Sequence, residues 1–502
     1  MPKYYIEAIE HARVYDVAIE TPCELAPKLS ARLHNEILLK REDLQPVFSF
    51  KLRGAYNKIA HLSEEERNRG VICASAGNHA QGVALSAKKI GIKATIVMPR
   101  TTPEIKVKAV ESYGGQVVLF GDSYSDASEH ASNLCKKTDM TYIHPYDDPL
   151  VIAGQGTIAA ELLRQAPSDI DVIFVPIGGG GLIAGIASYI KQITPETRVI
   201  GVEPVDSSAM HDSIASGELV TLKQVGIFAD GVAVKKVGNH TFDLVKQFVD
   251  EILLVDTDEI CAAVKDIYDD NRSIVEPAGA LAVAGMKKYI RQHKLHGKVM
   301  ACVNSGANMN FDRLRHIAER AEMGERREAL FAVTIDEKPG SFLTFCKLLG
   351  DRAITEFNYR LSSRERAHVF VGIAITSEEE RLDIINLLQS HHYPVIDLME
   401  NEAAKLHLRH IVGGKSVHIR HEHLYRFEFP ERPSALLDFL IHIAGRWNIS
   451  LFHYRNHGAA FGRVLVGIEV PKHDEQAFEG FVLTLGYSWV NESDNAALQL
   501  FL

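Results

Sequence analysis

The sequence predicts an α/β protein, with a two-lobed region of mainly parallel sheet followed by a smaller α+β region made of two repeats. Two observations carry this prediction. Short β-rich runs alternate with longer amphipathic runs over residues 70–330, and a pattern of three sequence blocks later recurs at a spacing of 94 or 95 residues. Four consecutive glycines at 178–181 mark one junction between a strand and a helix.

The bulk composition narrows the class of protein. The 502 residues include 55 basic and 65 acidic side chains, and the net charge of −10 argues against nucleic acid or an anionic membrane as the main partner. Six scattered cysteines without a C-x-x-C pair predict reduced thiols. Because the sequence shows neither a run of about 18 apolar residues nor a targeting segment, we expect a cytoplasmic protein with no membrane contact.

The alternation begins with Val71–Ala74, a β-rich run that leads into a predicted helix from Asn78 to Ile90. Further strands are predicted at 94–98, 116–120, 173–177, 198–202 and 299–303, and further helices at 103–113 and 182–193. Strands separated by helices need crossover connections, which produce a parallel sheet covered on both faces. We therefore expect two lobes with a cleft between them.

The last third of the chain repeats itself. Each copy follows the order strand, Pro-containing turn, helix, strand, loop, strand, which is typical of a ferredoxin-like unit. The predicted domains are residues 1–325, 329–400 and 422–493. The matching blocks are Glu337–Leu343 with Glu431–Leu437, Phe357–Arg360 with Phe452–Arg455, and His368–Ile373 with Arg463–Ile468.

One lysine, Lys51, gains significance from three other segments. By itself a lysine in Phe48–Ala55 is best explained as a solvated side chain. The segments Ser75–His79, Gly178–Gly181 and Ser305–Asn308 change that interpretation. Together they offer an amine, an anion cradle and a partner for a ring nitrogen, which are the parts of a pyridoxal phosphate site. We predict that Lys51 forms the Schiff base with this cofactor.

The glycine run is the predicted phosphate cradle. Gly178, Gly179, Gly180 and Gly181 follow a buried strand, and the next helix begins at Leu182. Glycines let backbone N–H groups converge on a phosphate, and a helix N-terminus adds a favourable dipole. A tight turn between the strand and the helix is one alternative, but four glycines in a row exceed what such a turn needs. A dinucleotide site is a second alternative, but G-x-G-x-x-G is not satisfied because Gly185 comes one position late.

The segment around Asn78 has two compatible interpretations. Asn78 stands at a junction between a strand and a helix, where asparagine commonly caps the helix. Its amide is also suited to donate to the phenolic oxygen of the cofactor. The backbone N–H groups of Ser75, Gly77 and His79 are predicted to bind the substrate carboxylate.

Ser305 is the predicted partner of the pyridine nitrogen. It follows the apolar run 299–303 and so lies at the carboxyl end of a strand, where α/β sheets bind ligands. A neutral hydroxyl does not hold that nitrogen protonated, which favours prompt loss of a β-substituent. For Glu276, which precedes Pro277, helix capping and a role at the cofactor both remain open.

These motifs resemble a known family. The segments S-F-K-x-R-G-A, S-A-G-N-H, G-G-G-G-L and S-G-A-N are similar to those of threonine dehydratases, which are fold type II pyridoxal phosphate enzymes. The resemblance covers essentially the whole chain. It implies that Lys51 is also the general base that acts on threonine, with serine as a secondary substrate and 2-oxobutanoate and ammonia as products. Serine racemases carry a second serine, a proton donor, where this chain has Ala76. The absence of that serine favours elimination over racemisation.

The repeats resemble the paired ACT-like units of the biosynthetic, isoleucine-regulated dehydratases. This resemblance implies inhibition by isoleucine and assembly into a homotetramer, and it leaves open whether valine activates the enzyme. No metal ligand is predicted. Tyr359 and Tyr454, equivalent in the two copies, are predicted to contact the effector, although core aromatic residues are an equal explanation. Two other functions stay open: a pyridoxal phosphate lyase acting mainly on serine, and a non-enzymatic amino-acid sensor that kept the fold.

Overall fold

The computed structural model divides into two compact units, Met1–Gly324 and Glu325–Leu502. The structure describes residues 2–226, 228–311, 313–361, 363–401, 404–405, 408–410, 416, 418–430, 437, 440–441, 446–455, 461–495 and 498. Each unit has its own sheets and its own hydrophobic core.

The first unit contains two sheets. Its strands are β1 (Cys23–Leu25), β2 (Glu36–Arg41), β3 (Val71–Ala74), β4 (Ala94–Met98), β5 (Gln116–Leu119), β6 (Thr141–Tyr142), β7 (Val172–Pro176), β8 (Arg198–Pro204), β9 (Glu251–Val255) and β10 (Val299–Asn304). The larger sheet has the order β1-β2-β10-β7-β8-β9, and the smaller has the order β5-β4-β3-β6. All neighbours pair in parallel except β1 with β2, so the predicted two-lobed, mainly parallel fold is confirmed.

Helices cover these sheets. They are α1 (Pro2–Glu10), α2 (Pro27–Leu33), α3 (Lys51–Ala60), α4 (Glu64–Arg69), α5 (Asn78–Ile90), α6 (Glu104–Ser112), α7 (Tyr124–Thr138), α8 (Pro149–Gln165), α9 (Gly181–Ile193), α10 (Ala209–Ser216), α11 (Asn239–Phe248), α12 (Thr257–Asn271), α13 (Pro277–His293) and α14 (Arg313–Gly324). The helix predicted at 78–90 has the predicted bounds, and the one predicted at 103–113 is shorter by one residue at each end.

The larger sheet is buried on both faces. Along β7, Val172 and Phe174 belong to one apolar cluster, while Ile173 and Val175 belong to another on the opposite side. Successive side chains of a strand point to opposite faces, so both clusters draw on the same strand. This is why β7 appears in the sequence as a continuous apolar run rather than as an alternating one.

The second unit is one antiparallel sheet with helices. Its strands are β11 (Glu328–Asp336), β12 (Ile354–Arg360), β13 (Arg366–Ala374), β14 (Val395–Asp397), β15 (Glu422–Pro430), β16 (Asn448–Arg455), β17 (Phe461–Glu469) and β18 (Ser488–Asn491), and its described helices are α15 (Ser341–Leu349), α16 (Glu378–Ser390) and α17 (Glu475–Thr484). The order is β14-β11-β13-β12-β16-β17-β15-β18. Two four-stranded halves, one per repeat, join where β12 pairs with β16.

The repeated Val-Gly-Ile blocks have a steric cause. In the first copy, a Cβ on Gly372 would lie 2.5 Å from Oγ1 of Thr355. That hydroxyl donates to the carboxylate of Glu328 at 2.5 Å. In the second copy, a Cβ on Gly467 would lie 2.8 Å from Oγ of Ser450. Both glycines therefore leave room for a hydroxyl on the neighbouring strand, which explains why the same residue recurs.

Two further features bear on the predictions from composition. All six cysteines are free thiols, and Cys73, Cys261, Cys302 and Cys346 are buried. Across the described ranges, every helix is too short or too polar to pass through a lipid bilayer.

Candidate active site

The residues predicted to bind the cofactor meet in one cavity. It lies at the carboxyl ends of β7 and β10, between the two sheets of the first unit. Parallel α/β sheets bind ligands at this end because the loops that follow neighbouring strands converge there. The lining residues are Phe50, Lys51, Asn78, Pro145, Tyr146, Gln155, Pro176, Gly178, Gly179, Gly180, Gly181, Leu182, Gly231, Val232, Glu276, Ala278 and Ser305.

Lys51 is the first residue of α3, and hydrogen bonds hold the preceding segment beside Ser305. The N–H of Phe50 donates to the Ser305 carbonyl at 3.2 Å, and the N–H of Ala307 donates to the Phe48 carbonyl at 2.8 Å. Burial lowers the pKa of the Lys51 amine to about 8, against the opposing effect of the negative charge of Glu276. A larger share of this amine is therefore neutral near physiological pH than for an exposed lysine.

The glycine loop joins β7 to α9. Gly180 has a φ of +93°, a conformation that side chains with a Cβ rarely adopt. A Cβ on Gly179 would lie 2.2 Å from the ring of Tyr146, so glycine is also required by this close packing. The N–H groups of Gly178–Leu182 donate to no backbone or side-chain acceptor within the described part of the chain. Unpaired N–H groups at a helix N-terminus form an anion cradle.

Asn78 does not cap α5. Gly77 occupies the cap position, and no side-chain cap bond is formed there. The Asn78 amide nitrogen instead donates to Oε1 of Glu276 at 2.6 Å, and its amide oxygen accepts from Nδ2 of Asn308 at 2.6 Å. The capping interpretation of Asn78 was therefore wrong, and the side chain is held at the cavity wall by two other residues.

The sequence left open whether Glu276 caps a helix or has a role at the cofactor, and the structure shows that it does not cap the helix. It stands at the cap position of α13, yet its side chain makes no cap bond with that helix. Glu276 is 3 % exposed and lines the cavity. Burial, followed by the nearby charge of Asp230, raises its pKa to about 7, while the hydrogen bond from Asn78 opposes the shift. Its side chain therefore belongs to the cavity wall rather than to the helix.

Ser305 directly follows β10 and is buried at the cavity wall. Its hydroxyl donates to the carbonyl of Ala278 at 3.3 Å. This contact is long, so the hydroxyl can turn towards another acceptor at small energetic cost. The position agrees with the one predicted from the strand that precedes it.

Comparisons with known proteins show which family this chain belongs to. Residues 14–306 match the model of pyridoxal-phosphate dependent enzymes. Residues 319–408 and 413–502 each match the C-terminal regulatory domain of threonine dehydratase. The biosynthetic L-threonine dehydratase of Burkholderia multivorans is 56 % identical over 501 residues, covering 99 % of each chain. This chain belongs to the biosynthetic threonine dehydratases.

Further matches include a second dehydratase sequence and two solved structures, one of them a serine racemase. The biosynthetic enzyme of Escherichia coli K12 is 52 % identical, covering 99 % of this chain and 97 % of its own. A processed form of threonine deaminase isoform 2 from Solanum lycopersicum matches 64 % of this chain and 93 % of its own, with 51 % identity and a TM-score of 0.63. Maize serine racemase matches 64 % of this chain and 98 % of its own, with 34 % identity and a TM-score of 0.59.

The cofactor of this dehydratase family is pyridoxal phosphate, and the residues present fit it. The unpaired N–H groups of Gly178–Leu182 suit its phosphate. The partly neutral amine of Lys51 suits its carbonyl carbon, and the hydroxyl of Ser305 suits its ring nitrogen. A phosphate binds where converging N–H groups lack other acceptors, and a Schiff base needs an unprotonated amine.

The residues predicted to bind the substrate lie beside the cavity but do not line it. Ser75 and Gly77 form a turn in which the N–H of Gly77 donates to Oγ of Ser75 at 3.3 Å. The ring of His79 is buried and bonds through Nε2 to the carbonyl of Ile143 at 2.9 Å. Burial lowers the pKa of His79 to about 3, so the ring stays neutral. The ring of His79 thus packs inside the smaller lobe, and substrate binding by the backbone N–H groups of Ser75, Gly77 and His79 remains a prediction.

In the second unit, both predicted effector residues are buried. Tyr359 is 3 % and Tyr454 is 6 % exposed. The Tyr359 hydroxyl donates to Glu337, which also accepts from Nδ2 of Asn448 at 3.1 Å. Asn448 belongs to the second repeat, so this network links the two repeats. Whether either tyrosine contacts an effector remains a prediction.

Several residues that line the cavity or contact its lining had no role in the sequence-based predictions. Asn308 was part of the S-G-A-N motif, but no function was attached to it. Tyr146 and Gln155 lie in a loop and a helix without a recognisable motif. Tyr146 donates from its hydroxyl to the carbonyl of Lys236 at 3.0 Å. Only the contact with the glycine loop identifies Tyr146, because no local pattern does.

Proposed function

We propose that this enzyme converts L-threonine to 2-oxobutanoate and ammonia by β-elimination, as the first step of isoleucine biosynthesis. The observation that carries the proposal is the convergence of Lys51, the glycine loop and Ser305 on one cavity. The similarity of the whole chain to biosynthetic threonine dehydratases supports the choice of substrate. When bound, pyridoxal phosphate supplies an electron sink for the bond that is broken at Cα.

In this proposal Lys51 first holds the cofactor and then acts as the general base. Its amine takes the Cα proton of threonine, which requires the neutral form that burial favours. The Lys51 ammonium formed in this step returns the proton to the β-hydroxyl, which leaves as water. The released enamine takes up water and loses ammonia, which gives 2-oxobutanoate. Ser305 offers a neutral partner to the ring nitrogen, which favours this prompt loss over slower alternatives.

The test is a direct assay of the purified enzyme. We expect 2-oxobutanoate to form from threonine, with a higher kcat/KM for threonine than for serine. A higher kcat/KM for serine would instead identify a serine lyase. A colourless protein that forms no oxo acid from either substrate would contradict the proposal as a whole.

We further propose that the two repeats, 329–400 and 422–493, bind an amino-acid effector. Isoleucine is the inhibitor, valine opposes it, and Tyr359 and Tyr454 contribute to effector binding. The hydrogen bonds that link Tyr359, Glu337 and Asn448 across the repeats support a shared site, because an effector there would act on both halves. An effector that distinguishes two states by about 1–3 kcal/mol changes substrate affinity roughly 5- to 150-fold.

Two measurements test this regulatory proposal. A truncated enzyme that ends at Arg327 should turn over threonine without responding to isoleucine. In the full-length chain, Tyr359→Phe and Tyr454→Phe should each raise the isoleucine concentration that gives half inhibition. A truncated enzyme that is active and still inhibited by isoleucine would refute the assignment to the repeats.

Assembly and location complete the proposal. We propose a homotetramer that works in the cytoplasm, where six free thiols are stable. Sedimentation of the purified enzyme with and without isoleucine measures the assembly state. A monomer at working concentration would contradict the tetramer.

A further inference from the structure

The amide of Asn78 is held on both sides at the cavity wall. On one side, its nitrogen donates to Oε1 of Glu276 at 2.6 Å. On the other side, its oxygen accepts from Nδ2 of Asn308 at 2.6 Å. The same Nδ2 of Asn308 donates to the carbonyl of Val47 at 2.7 Å. Asn78 and Glu276 both line the cavity, so this chain of bonds ends at the site of the reaction.

A backbone carbonyl fixes the direction of every bond in this chain. The Val47 carbonyl can only accept, so the Asn308 atom that faces it must be the nitrogen. The same nitrogen faces Asn78, which must therefore present its oxygen there. The Asn78 nitrogen then necessarily faces Glu276. The amide orientation thus follows from the network rather than from an arbitrary choice between oxygen and nitrogen.

This arrangement leaves Asn78 with one amide hydrogen to offer. An amide nitrogen carries two hydrogens, and Glu276 accepts one of them. Within the described ranges, no other residue accepts the second. Since Asn78 lines the cavity, that hydrogen is available to a bound group.

Glu276 is confined to its position by close packing. A Cβ on Gly306 would lie 2.7 Å from its Oε1, and a Cβ on Gly231 would lie 3.3 Å from the same atom. Two glycines therefore make room for the carboxyl group where it meets Asn78. The side chain is buried and is not used to cap α13, so its hydrogen bond to Asn78 is the contact that its position serves.

We propose that Glu276 is a positioning residue, which with Asn308 orients the Asn78 amide so that its remaining N–H faces the phenolic oxygen of the bound cofactor. This inference rests on the proposed function, because it requires pyridoxal phosphate in the cavity. It assigns Glu276 to the reaction through Asn78 rather than through contact with the substrate.

The charges around Glu276 affect the strength of its hydrogen bond with Asn78. Asp230, from the short 3₁₀ helix Asp230–Val232, and burial both favour the protonated acid, while Lys106 of α6 and Lys51 of α3 favour the carboxylate. Lys106 and Asp230 themselves form an ion pair at 2.8 Å. The ionised carboxylate accepts from Asn78 more strongly than the acid does. The electronic state of the bound cofactor should therefore change as Glu276 titrates.

The experiment compares the holoenzyme with Glu276→Ala, Glu276→Gln, Asn78→Ala and the Asn78→Ala/Glu276→Ala double variant. The readouts are the visible absorption band of the cofactor as a function of pH, the Kd for pyridoxal phosphate, and kcat and KM for threonine. Glu276→Ala should shift the band and weaken cofactor binding by about tenfold, because a hydrogen bond in a buried site is lost. Glu276→Gln keeps an acceptor for Asn78 and should restore the binding, but without the pH response near neutrality.

The matched control is Glu203→Gln. Glu203 is equally buried, accepts the N–H groups of Met210 and His211 at 3.0 and 2.8 Å, and does not line the cavity. This variant should leave the absorption band and its pH response unchanged.

In the Asn78→Ala background, Glu276→Ala should have little further effect on the band.

Each outcome bears on one claim. If the wild-type enzyme binds no cofactor, the proposed function fails. If wild type binds it and Glu276→Ala keeps the same band, pH response and Kd, the positioning role alone is overturned. Additive effects of Asn78→Ala and Glu276→Ala would also overturn it, because Glu276 would then act independently of Asn78. If Glu276→Ala fails to fold, Glu276→Gln still decides through its pH response.

Discussion

The guanidinium group of Arg53 donates to both carboxylate oxygens of Glu161, at 2.5 and 2.9 Å. Arg53 also bonds to Glu42, and Lys40 bonds to Glu161 at 2.6 Å. All four side chains are inaccessible to solvent. Arg53 lies two residues after Lys51 on α3, and Glu161 lies on α8, so this balanced network ties the start of the lysine helix to its neighbours.

Arg53→Met should lower the free energy of unfolding of the first unit by about 3–5 kcal/mol, because two buried carboxylates lose their compensating charge. Thermal and urea unfolding of the purified enzyme would measure this loss. Glu104→Gln, which breaks an exposed pair with Lys108, is the control and should have no measurable effect. Equal stability of the two variants would mean that the buried network does not hold the helix.

Lys51→Ala should abolish both threonine turnover and the cofactor colour that borohydride reduction traps, because no other amine lines the cavity within the described residues. The matched control is Lys89→Ala, an exposed lysine on α5. The control should retain full colour and activity. Borohydride-trapped cofactor in Lys51→Ala would assign the covalent link to a different residue.

The rate at which the apoenzyme takes up pyridoxal phosphate should rise with pH, with a midpoint near pH 8, and level off about one unit above it. Only the neutral amine attacks a carbonyl, and burial lowers the pKa of Lys51 to about 8, so the neutral fraction grows as the pH passes that value. In Glu276→Gln the midpoint should move to lower pH, because the negative charge that raises the Lys51 pKa is gone. Stopped-flow absorbance measures both profiles. A midpoint near that of a free lysine, about 10.4, would show that the amine is fully hydrated.

Gly467→Ala should destabilise the second unit by about 1–3 kcal/mol, because the new methyl group has no room in the sheet. Its Cβ would lie 2.6 Å from Oε1 of Glu422 and 2.8 Å from Oγ of Ser450. Gly480→Ala is the matched control on α17, where no atom lies within 4 Å of the new Cβ. That substitution should stabilise the helix by about 0.5–1 kcal/mol. Calorimetry of both variants tests the opposite signs.

The elements of the first unit were predicted closely because their signals are local. The run Val71–Ala74 and the helix Asn78–Ile90 have the predicted bounds, since an apolar run, a turn and an amphipathic stretch suffice to define them. The order of strands in both repeats was likewise evident from blocks in register, while the helix predicted after Pro433 lies largely outside the described residues. The glycine loop and Ser305 were located correctly because strand ends in a parallel sheet meet at one edge.

The errors and omissions have a common cause, which is distance along the chain. Asn78 was interpreted as a possible cap because its neighbours in sequence allow it, whereas its actual partner Glu276 is 198 residues away. No local pattern showed that the ring of His79 would bond to the carbonyl of Ile143, which lies 64 residues away. The bonds between Arg53 and Glu161 span 108 residues. No local pattern encodes such pairs.

The sequence by itself determined the fold class and the duplication, and it predicted which lysine binds the cofactor, because each depends on local periodicity or on a motif of a few residues. Only the tertiary structure decided which side chains surround that lysine and in which direction their hydrogen bonds run. Glu276 and Tyr146 come to the cavity from separate segments, and Asn308 reaches Asn78 from a third. Their partnership depends on packing between distant segments, and so it appears only once the chain is folded.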